Sequence, residues 1–347
     1  MLNYTHTDST SHPHVDIVIV NWNGLRYLPA CLNALSAQTY SDFSIWIVDN
    51  GSTDGSVEYV RNQHPSVQLI CNATNLGFAA ANNQVFRTAH SEYIAPLNND
   101  TVVDPGWLSA LVEAMAQHPR AGMAAAKMLF AASPGLINSA GIAVDRLGIA
   151  WDRLGGRPES ASETSPTPVF GVSAGAALYR RAMLDDIGLF DEGFFAYLED
   201  VDLAWRAQWA GWESLYVPGA RVTHHHSATS REGSPFKNRL LGRNKVWLIA
   251  KNYPMPYLWL CLPVIIGYDV ASMLYAIAAR RDISPLEGRI AGLRGLVNAL
   301  RKRKTILCRI TPRAMMALLA PVESPWRVLR RYRHLTPITP APPAAKK

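Results

Sequence analysis

Tyr93–Leu108 reads YIAPLNNDTVVDPGWL. An apolar run enters Asn98-Asn99-Asp100, resumes as Thr101-Val102-Val103, and stops at Asp104-Pro105-Gly106. Two amides and a carboxylate in a strand-like segment cost on the order of 2–7 kcal/mol each when buried without partners. The triplet must therefore meet water, a hydrogen-bond network or a ligand.

Upstream, strand and helix patterns alternate. Val15–Val20 (VDIVIV) reads as a buried strand followed by the turn NWNG, and Leu25–Ala37 has helical spacing. Phe43–Val48 (FSIWIV) is a second strand running into Asp49, and Val67–Cys71 is a third. Ser52 or Thr53 is placed to cap a helix over Val57–Asn62, and a turn at Asn75–Gly77 opens another over Phe78–Ala89. With Tyr93–Leu97 as the fourth strand, the pattern predicts an α/β fold with a mostly parallel sheet. Downstream, Ala121–Phe130, Val169–Tyr179 and Ser214–Val217 read as strands, and Phe194–Trp212 as a loop that becomes a helix.

Ligands of such sheets bind outside the carboxyl ends of the strands. Three polar clusters fall there: Asn21-Trp22-Asn23, Asp49-Asn50 and Asn98-Asn99-Asp100. Any one alone is ordinary turn chemistry; three at one sheet edge point to a ligand. The turn NWNGLRYL contains no GxGxxG, and the chain has no GxxxxGK[ST], so no glycine cradle admits a phosphate. A divalent cation held by Asp100 is the candidate to neutralise one.

A second centre is Tyr197-Leu198-Glu199-Asp200-Val201-Asp202. Its ordinary reading is an acid-rich helix N-terminus. Phe194, Phe195 and Tyr197 precede it and Trp205, Trp209 and Trp212 follow; a carboxylate between aromatic walls has its pKa raised toward general-base values. In His224-His225-His226, alternate residues of a strand face opposite sides, so all three cannot meet one ion.

The chain of 347 residues, 48% hydrophobic, suits one large domain or a domain with an appendage. Cys31, Cys71, Cys261 and Cys308 form no CxxC pair, so reduced thiols are expected. Residues 1–14 read as a flexible N-terminus with no signal-peptide core. Residues 280–347 hold 16 Lys/Arg against three acids, a balance of +13, so the rest of this +7 chain carries −6. Just before that basic region, Tyr253–Ala279 is almost continuously apolar and long enough to span a bilayer. Pro254, Pro256, Pro263 and Asp269 favour a re-entrant or interfacial element instead, with a buried core helix as the ordinary alternative. An anionic membrane surface is the expected partner; no nucleic-acid module is present in the sequence.

Seven stretches, VDIVIVNWNG, IVDNGSTDGS, NLGFAAANNQ, PLNNDTVVDPGWL, SAGAALYRR, FFAYLEDVDLAWRAQWAGW and VTHHHSAT, occur in this order over residues 15–250. Together they resemble the family 2 glycosyltransferases and, within them, the rhamnosyltransferase-like branch. The resemblance implies a GT-A fold over 15–250, with 251–347 as an apolar and basic helical region that associates with the membrane. It assigns Asn21, Asn23, Asp49 and Ser52 to the nucleotide base and ribose, and Asn75, Gly77, Phe78 and Asn82 to a second donor-contacting loop and helix start. Asn98-Asn99-Asp100 takes the position of the family's DxD motif, with Asn98 in place of the first Asp; Asp100 and His224 would hold Mg2+ or Mn2+, with His226 as the next choice of histidine. Asp200 is implied as the base, Asp202 as runner-up in a supporting place, Glu199 as orienting the acceptor, and Trp205 and Gly175 as lying on the acceptor side.

The implied reaction is an inverting transfer from a nucleoside-diphosphate sugar, dTDP-rhamnose before UDP-hexoses. The implied acceptor is a hydroxyl of a polyprenyl-linked glycan, at the cytoplasmic face of the inner membrane, with the enzyme peripheral or monotopic. A sugar-nucleotide pyrophosphorylase would need a basic glycine-rich loop where NWNGLRYL stands. A non-catalytic nucleotide-sugar-binding scaffold draws its support from Asn98.

Overall fold

The computed structural model describes residues 13–225 and 233–322. Its first half runs β1 (Val15–Asn21), α1 (Leu28–Ser36), β2 (Phe43–Asp49), α2 (Ser56–Gln63), β3 (Gln68–Cys71), α3 (Phe78–Thr88), β4 (Tyr93–Asn98), β5 (Thr101–Val103) and α4 (Trp107–Gln117). Then come β6 (Ala121–Phe130), β7 (Ile137–Ser139), β8 (Ile142–Val144), β9 (Ala150–Asp152), β10 (Thr167–Pro168), β11 (Ala177–Arg180), α5 (Arg181–Ile187), α6 (Glu199–Trp209) and β12 (Glu213–His224). Five helices follow: α7 (Pro235–Asn252), α8 (Tyr257–Arg280), α9 (Ser284–Arg294), α10 (Leu296–Arg303) and α11 (Pro312–Leu318).

The main sheet is ordered β10-β12-β6-β11-β4-β1-β2-β3, with β5 on β12 and β7 on β6. Around β1 the pairs are parallel, while β11 reverses between β4 and β6. The period-2 pattern read from VDIVIV sorts its side chains by face. Ile17 and Ile19 pack with α1 and α4 on one side, and Val18 joins the cluster containing Phe86 of α3 and Trp205 of α6 on the other. In register, Asn21 lies opposite Asp49 and Val20 opposite Asn98, so the polar strand ends stand at one level.

Several elements depart from expectation. Of the expected strand Val169–Tyr179 only the end from Ala177 forms β11, because the preceding small residues bend past the sheet end to line a cleft. Glu213–His224 outruns the expected Ser214–Val217; its far end pairs with β5 and sets His224 opposite Thr101. Neither Ser52 nor Thr53 caps α2. Ser52 Oγ instead accepts from Asn23 N at 2.8 Å, and Asp54 bonds Leu25 N and Ser56 N at the helix start.

Tyr253–Ala279 is not broken. Pro254 and Pro256 precede α8, which then runs for 24 residues through Pro263, a proline that gives up one i→i−4 bond. Among the described residues α8 is the one helix long and apolar enough to cross a membrane. Its Asp269 pairs with Lys245 of α7 and Arg289 of α9, both at 2.7 Å.

Candidate active site

A cleft of about 880 Å³ opens at the carboxyl ends of β1 and β4. On its sheet side, Asn21 is fully buried, donating from Nδ2 to Asp49 Oδ2 at 2.9 Å and accepting at Oδ1 from Asn99 Nδ2 at 2.8 Å. Asp49 Oδ1 takes Ser52 N at 2.8 Å, and Asn23 Oδ1 takes Thr53 N at 2.8 Å. These residues knit the strand ends together. The cleft wall itself is formed by Trp22, Asn50, Asn75, Gly77, Phe78, Asn98, Asn99 and Asp100. Trp22 and Asn50 were read only as members of polar clusters, and Asn50 Nδ2 ties the two loops by donating to Gly77 O at 3.2 Å. Asn82 lies away from this wall, fully buried in α3, donating to Phe78 O at 2.9 Å.

The opening triplet finds partners for each member. Asn98 Nδ2 is 3.4 Å from His224 Nε2, Asn99 bonds Asn21, and Asp100 Oδ1 is 3.2 Å from His224 Nε2. His224 Nδ1 is 2.7 Å from Asn138 Oδ1, a contact that orients the ring so that Nε2 is the nitrogen turned to Asp100. Burial pushes Asp100 up, but the hydrogen bond and charge of His224 outweigh it and hold the carboxyl below its ordinary value. A carboxylate beside an imidazole whose far nitrogen is tied down is a donor set for a divalent cation that completes its shell from a substrate diphosphate. No third His, Cys, Asp or Glu joins them among the described residues. His225 turns its ring to Tyr27; His226 lies outside the described residues. Asn138 was not anticipated, since nothing local to INS marks it as a partner of a residue 86 positions away.

Across the cleft, Asp200 accepts from Ala174 N at 3.2 Å and Val201 N at 2.8 Å. Burial pushes its carboxyl up to about 6, against the two N–H bonds and with help from Asp152 of β9. Asp152 and Trp151 line the cleft and are legible only in the fold. Glu199 is buried beside Asp200 with Oε2 unpartnered, and burial and the Asp200 charge push it well above the ordinary range. Gly175 lines the same wall, where a Cβ would sit 3.1 Å from Asn98 Nδ2.

Two expected members sit elsewhere. Asp202 faces away from the cleft, fully buried, accepting from Arg206 Nε and Lys251 Nζ at 2.9 Å and Asn252 Nδ2 at 2.8 Å. These cations outweigh burial and lower it to about 2, so its lone pairs are committed. Trp205 is a core residue, 5.0 Å edge-on from Phe170. The aromatic wall after the acid run is thus corrected: α6 carries Trp205 and Trp209 onto its buried side, and Trp212, just past the helix, packs half-buried and donates to Asp186 at 2.8 Å, so none of the three lines the cleft. Phe195 and Tyr197, before the run, do line the cleft.

The loop that presents Asp200 is strained. Phe195, Tyr197 and Leu198 have φ of 64°, 67° and 68°, values side chains seldom adopt. Asn244 of α7, fully buried, spans the loop, donating to the carbonyls of Phe194, Ala196 and Tyr197 at 2.7–3.0 Å. Gly77 abuts it: with φ +87°, a Cβ there would lie 2.6 Å from Phe195 O.

This is the GT-A arrangement, a parallel half of the sheet joined to a mixed half with a cleft across the strand ends. Two solved structures share the fold. GalNAc-T7, crystallised with UDP, GalNAc and Mn2+, superposes with a TM-score of 0.63 at 16% identity over 93% of this chain and 59% of that one. S. aureus TarS 1–349 does so with 0.51 at 17% identity, over 88% and 83%. The family model for glycosyl transferase family 2 matches residues 16–188. An N-acetylglucosaminyl-diphospho-decaprenol L-rhamnosyltransferase of Mycobacterium tuberculosis is 32% identical over 244 residues, 62% of this chain and 78% of its own. The O-antigen biosynthesis protein RfbC of Myxococcus xanthus is 30% identical over 233 residues, 63% of this chain and 18% of its own. The chain belongs to glycosyl transferase family 2, in its rhamnosyltransferase-like branch.

Proposed function

We propose that this glycosyltransferase moves rhamnose from dTDP-rhamnose, with inversion, to a hydroxyl of a lipid-linked sugar. The observation that carries the reading is Asp200, a carboxylate raised to about 6, in the same cleft as the Asp100–His224 pair. The base takes the proton of the acceptor hydroxyl as its oxygen bonds the anomeric carbon. The bond from that carbon to the diphosphate breaks on the opposite face, which inverts the centre. No second group is needed as nucleophile. Glu199, beside Asp200 in the cleft lining, orients the acceptor. Asp100 and His224 would hold a divalent cation, which when bound supplies charge neutralisation for the departing diphosphate.

Support for a lipid-linked acceptor comes from the mycobacterial relative, named for a decaprenol-diphosphate-linked N-acetylglucosamine, and from the apolar α8. The test is release of nucleoside diphosphate from a panel of donors, with polyprenyl-diphosphate N-acetylglucosamine as acceptor and the product's anomeric configuration read by NMR. Acceptor-dependent release from dTDP-rhamnose with inversion is expected. Transfer from a UDP-hexose alone would replace the donor assignment, and retention of configuration would remove Asp200 as sole base.

A further inference from the structure

The helical layer carries more exposed apolar surface than a soluble face needs. Of the apolar stretch in α8, only 6% is buried. Leu258 and Ile265 turn inward with Asp269, while Trp259, Leu260, Val264, Val270 and Leu274 face out, 42–73% exposed. At about 100° per residue these five share one side of the helix, away from Leu258, Ile265 and Asp269.

The next two helices repeat the pattern. Ser284, Gly288 and Gly292 bury one face of α9 against α7, where a Cβ on Gly288 would lie 2.3 Å from Arg239 O. The opposite face presents Ile283, Leu286, Ile290, Leu293, Val297 and Leu300, 39–62% exposed and spaced by three and four through α10. Around this stripe Arg280, Arg281, Arg294, Arg301 and Lys304 are exposed. The acids nearby are engaged: Asp282 by Asn238 and Glu287 by Arg239.

We propose that α8, α9 and α10 dock in the plane of an anionic membrane, and that α8 does not cross it. Asp269 stands at the middle of α8, held by Lys245 and Arg289. A crossing helix would carry that carboxylate into hydrocarbon and pull α7 and α9 after it. Lying flat, α8 keeps the pair on the protein side and sinks only its outer face. Charge complementarity selects the lipid, since the apolar stripe is ringed by exposed arginines while Glu287 is paired with Arg239. The first two turns of α7, with Phe236, Lys237 and Leu241, line the active-site cleft. The helix on which α9 packs is therefore also a wall of the cleft, which sets the cleft beside the lipid-facing layer and brings a lipid-bound sugar toward Asp200. This last clause rests on the lipid-linked acceptor of the proposed function; the docking itself does not.

The experiment uses the full chain with sealed phosphatidylcholine vesicles, with and without phosphatidylglycerol. Flotation with the phosphatidylglycerol vesicles is expected, as is weaker flotation without it. Arg294→Gln and Arg301→Gln should each lower partitioning roughly fivefold, and Ile290→Glu/Leu293→Glu/Val297→Glu should abolish it. All these side chains are exposed, and an unchanged melting temperature verifies that the variants fold. Trypsin added outside should leave no protected fragment from Arg281 onward. A protected fragment would mean that α8 crosses, and flotation of the triple variant like the parent would remove the stripe from the interface; either result overturns the proposal. A parent that floats yet glycosylates no lipid-linked sugar would sink the functional reading and leave the docking intact.

Discussion

At Asp200, burial and two backbone N–H groups pull the proton affinity in opposite directions, and burial wins. The carboxyl is therefore a competent base only above about 6. Transfer under saturating substrates is expected to rise with pH through that value and then level off, a limb measurable from initial rates across a buffer series. A profile flat over about pH 5–7 would assign proton removal to another group. Asp200→Asn preserves volume and the backbone contacts but cannot accept the proton. It should lower transfer by ~10²–10⁴-fold while calorimetry finds donor affinity unchanged. Near-parental transfer by this variant would return the acid run to its ordinary reading as a helix start.

Among the elements, α6 and α7 hold the site from behind. Asp202 gathers Arg206, Lys251 and Asn252 with no exposed surface. Asp202→Asn leaves two buried cations short of a partner and should cost about 3–5 kcal/mol in denaturant unfolding. Because its native pKa is depressed to about 2 from 3.8, this stabilisation is present above the ordinary value and is lost as pH falls from about 4 toward 2. Asn244 acts on the loop before Asp200. Asn244→Ala removes the donor shared by three carbonyls; Phe194 O keeps Arg243 Nη2 at 2.8 Å, while Ala196 O and Tyr197 O lose this partner, a loss of about 1–3 kcal/mol for each buried group left unmet. Its expected signature is a fall in kcat with donor affinity kept, since the Asn21–Asp49 side of the cleft does not depend on the loop. A variant that unfolds with loss of donor binding as well would mark Asn244 as purely structural.

For the whole molecule, the helical layer and the sheet are one construction. The boundary expected at 250/251 is crossed by Lys251 and Asn252 reaching Asp202, and by Arg303 reaching Ala250 O at 3.0 Å. Truncation after Ala250 should therefore lower the melting temperature and donor binding together, rather than release a soluble catalytic unit. Stripping divalent cations with chelator should abolish turnover, and Mg2+ or Mn2+ should restore it. Full activity of the metal-free protein would leave diphosphate neutralisation to the protein's own cations.

The sequence by itself determined the parallel part of the sheet and the level at which its polar strand ends stand. Alternation in VDIVIV and FSIWIV, followed at once by Asn21, Asp49 and Asn98, is local information, and local periodicity is enough to place strand ends. It also marked Glu199–Asp202 as one acidic run, though not which acid faces the cleft. That choice is a matter of rotation about α6 and of what packs behind it, so only the tertiary structure sent Asp200 to the cleft and Asp202 to Lys251. Asn138, Asp152 and Asn244 were invisible for the same reason, since each acts on a residue distant in the chain and carries no local motif. The apolar run of α8 was plain in the sequence; that its one acid is clamped by α7 and α9 was decided by packing between helices.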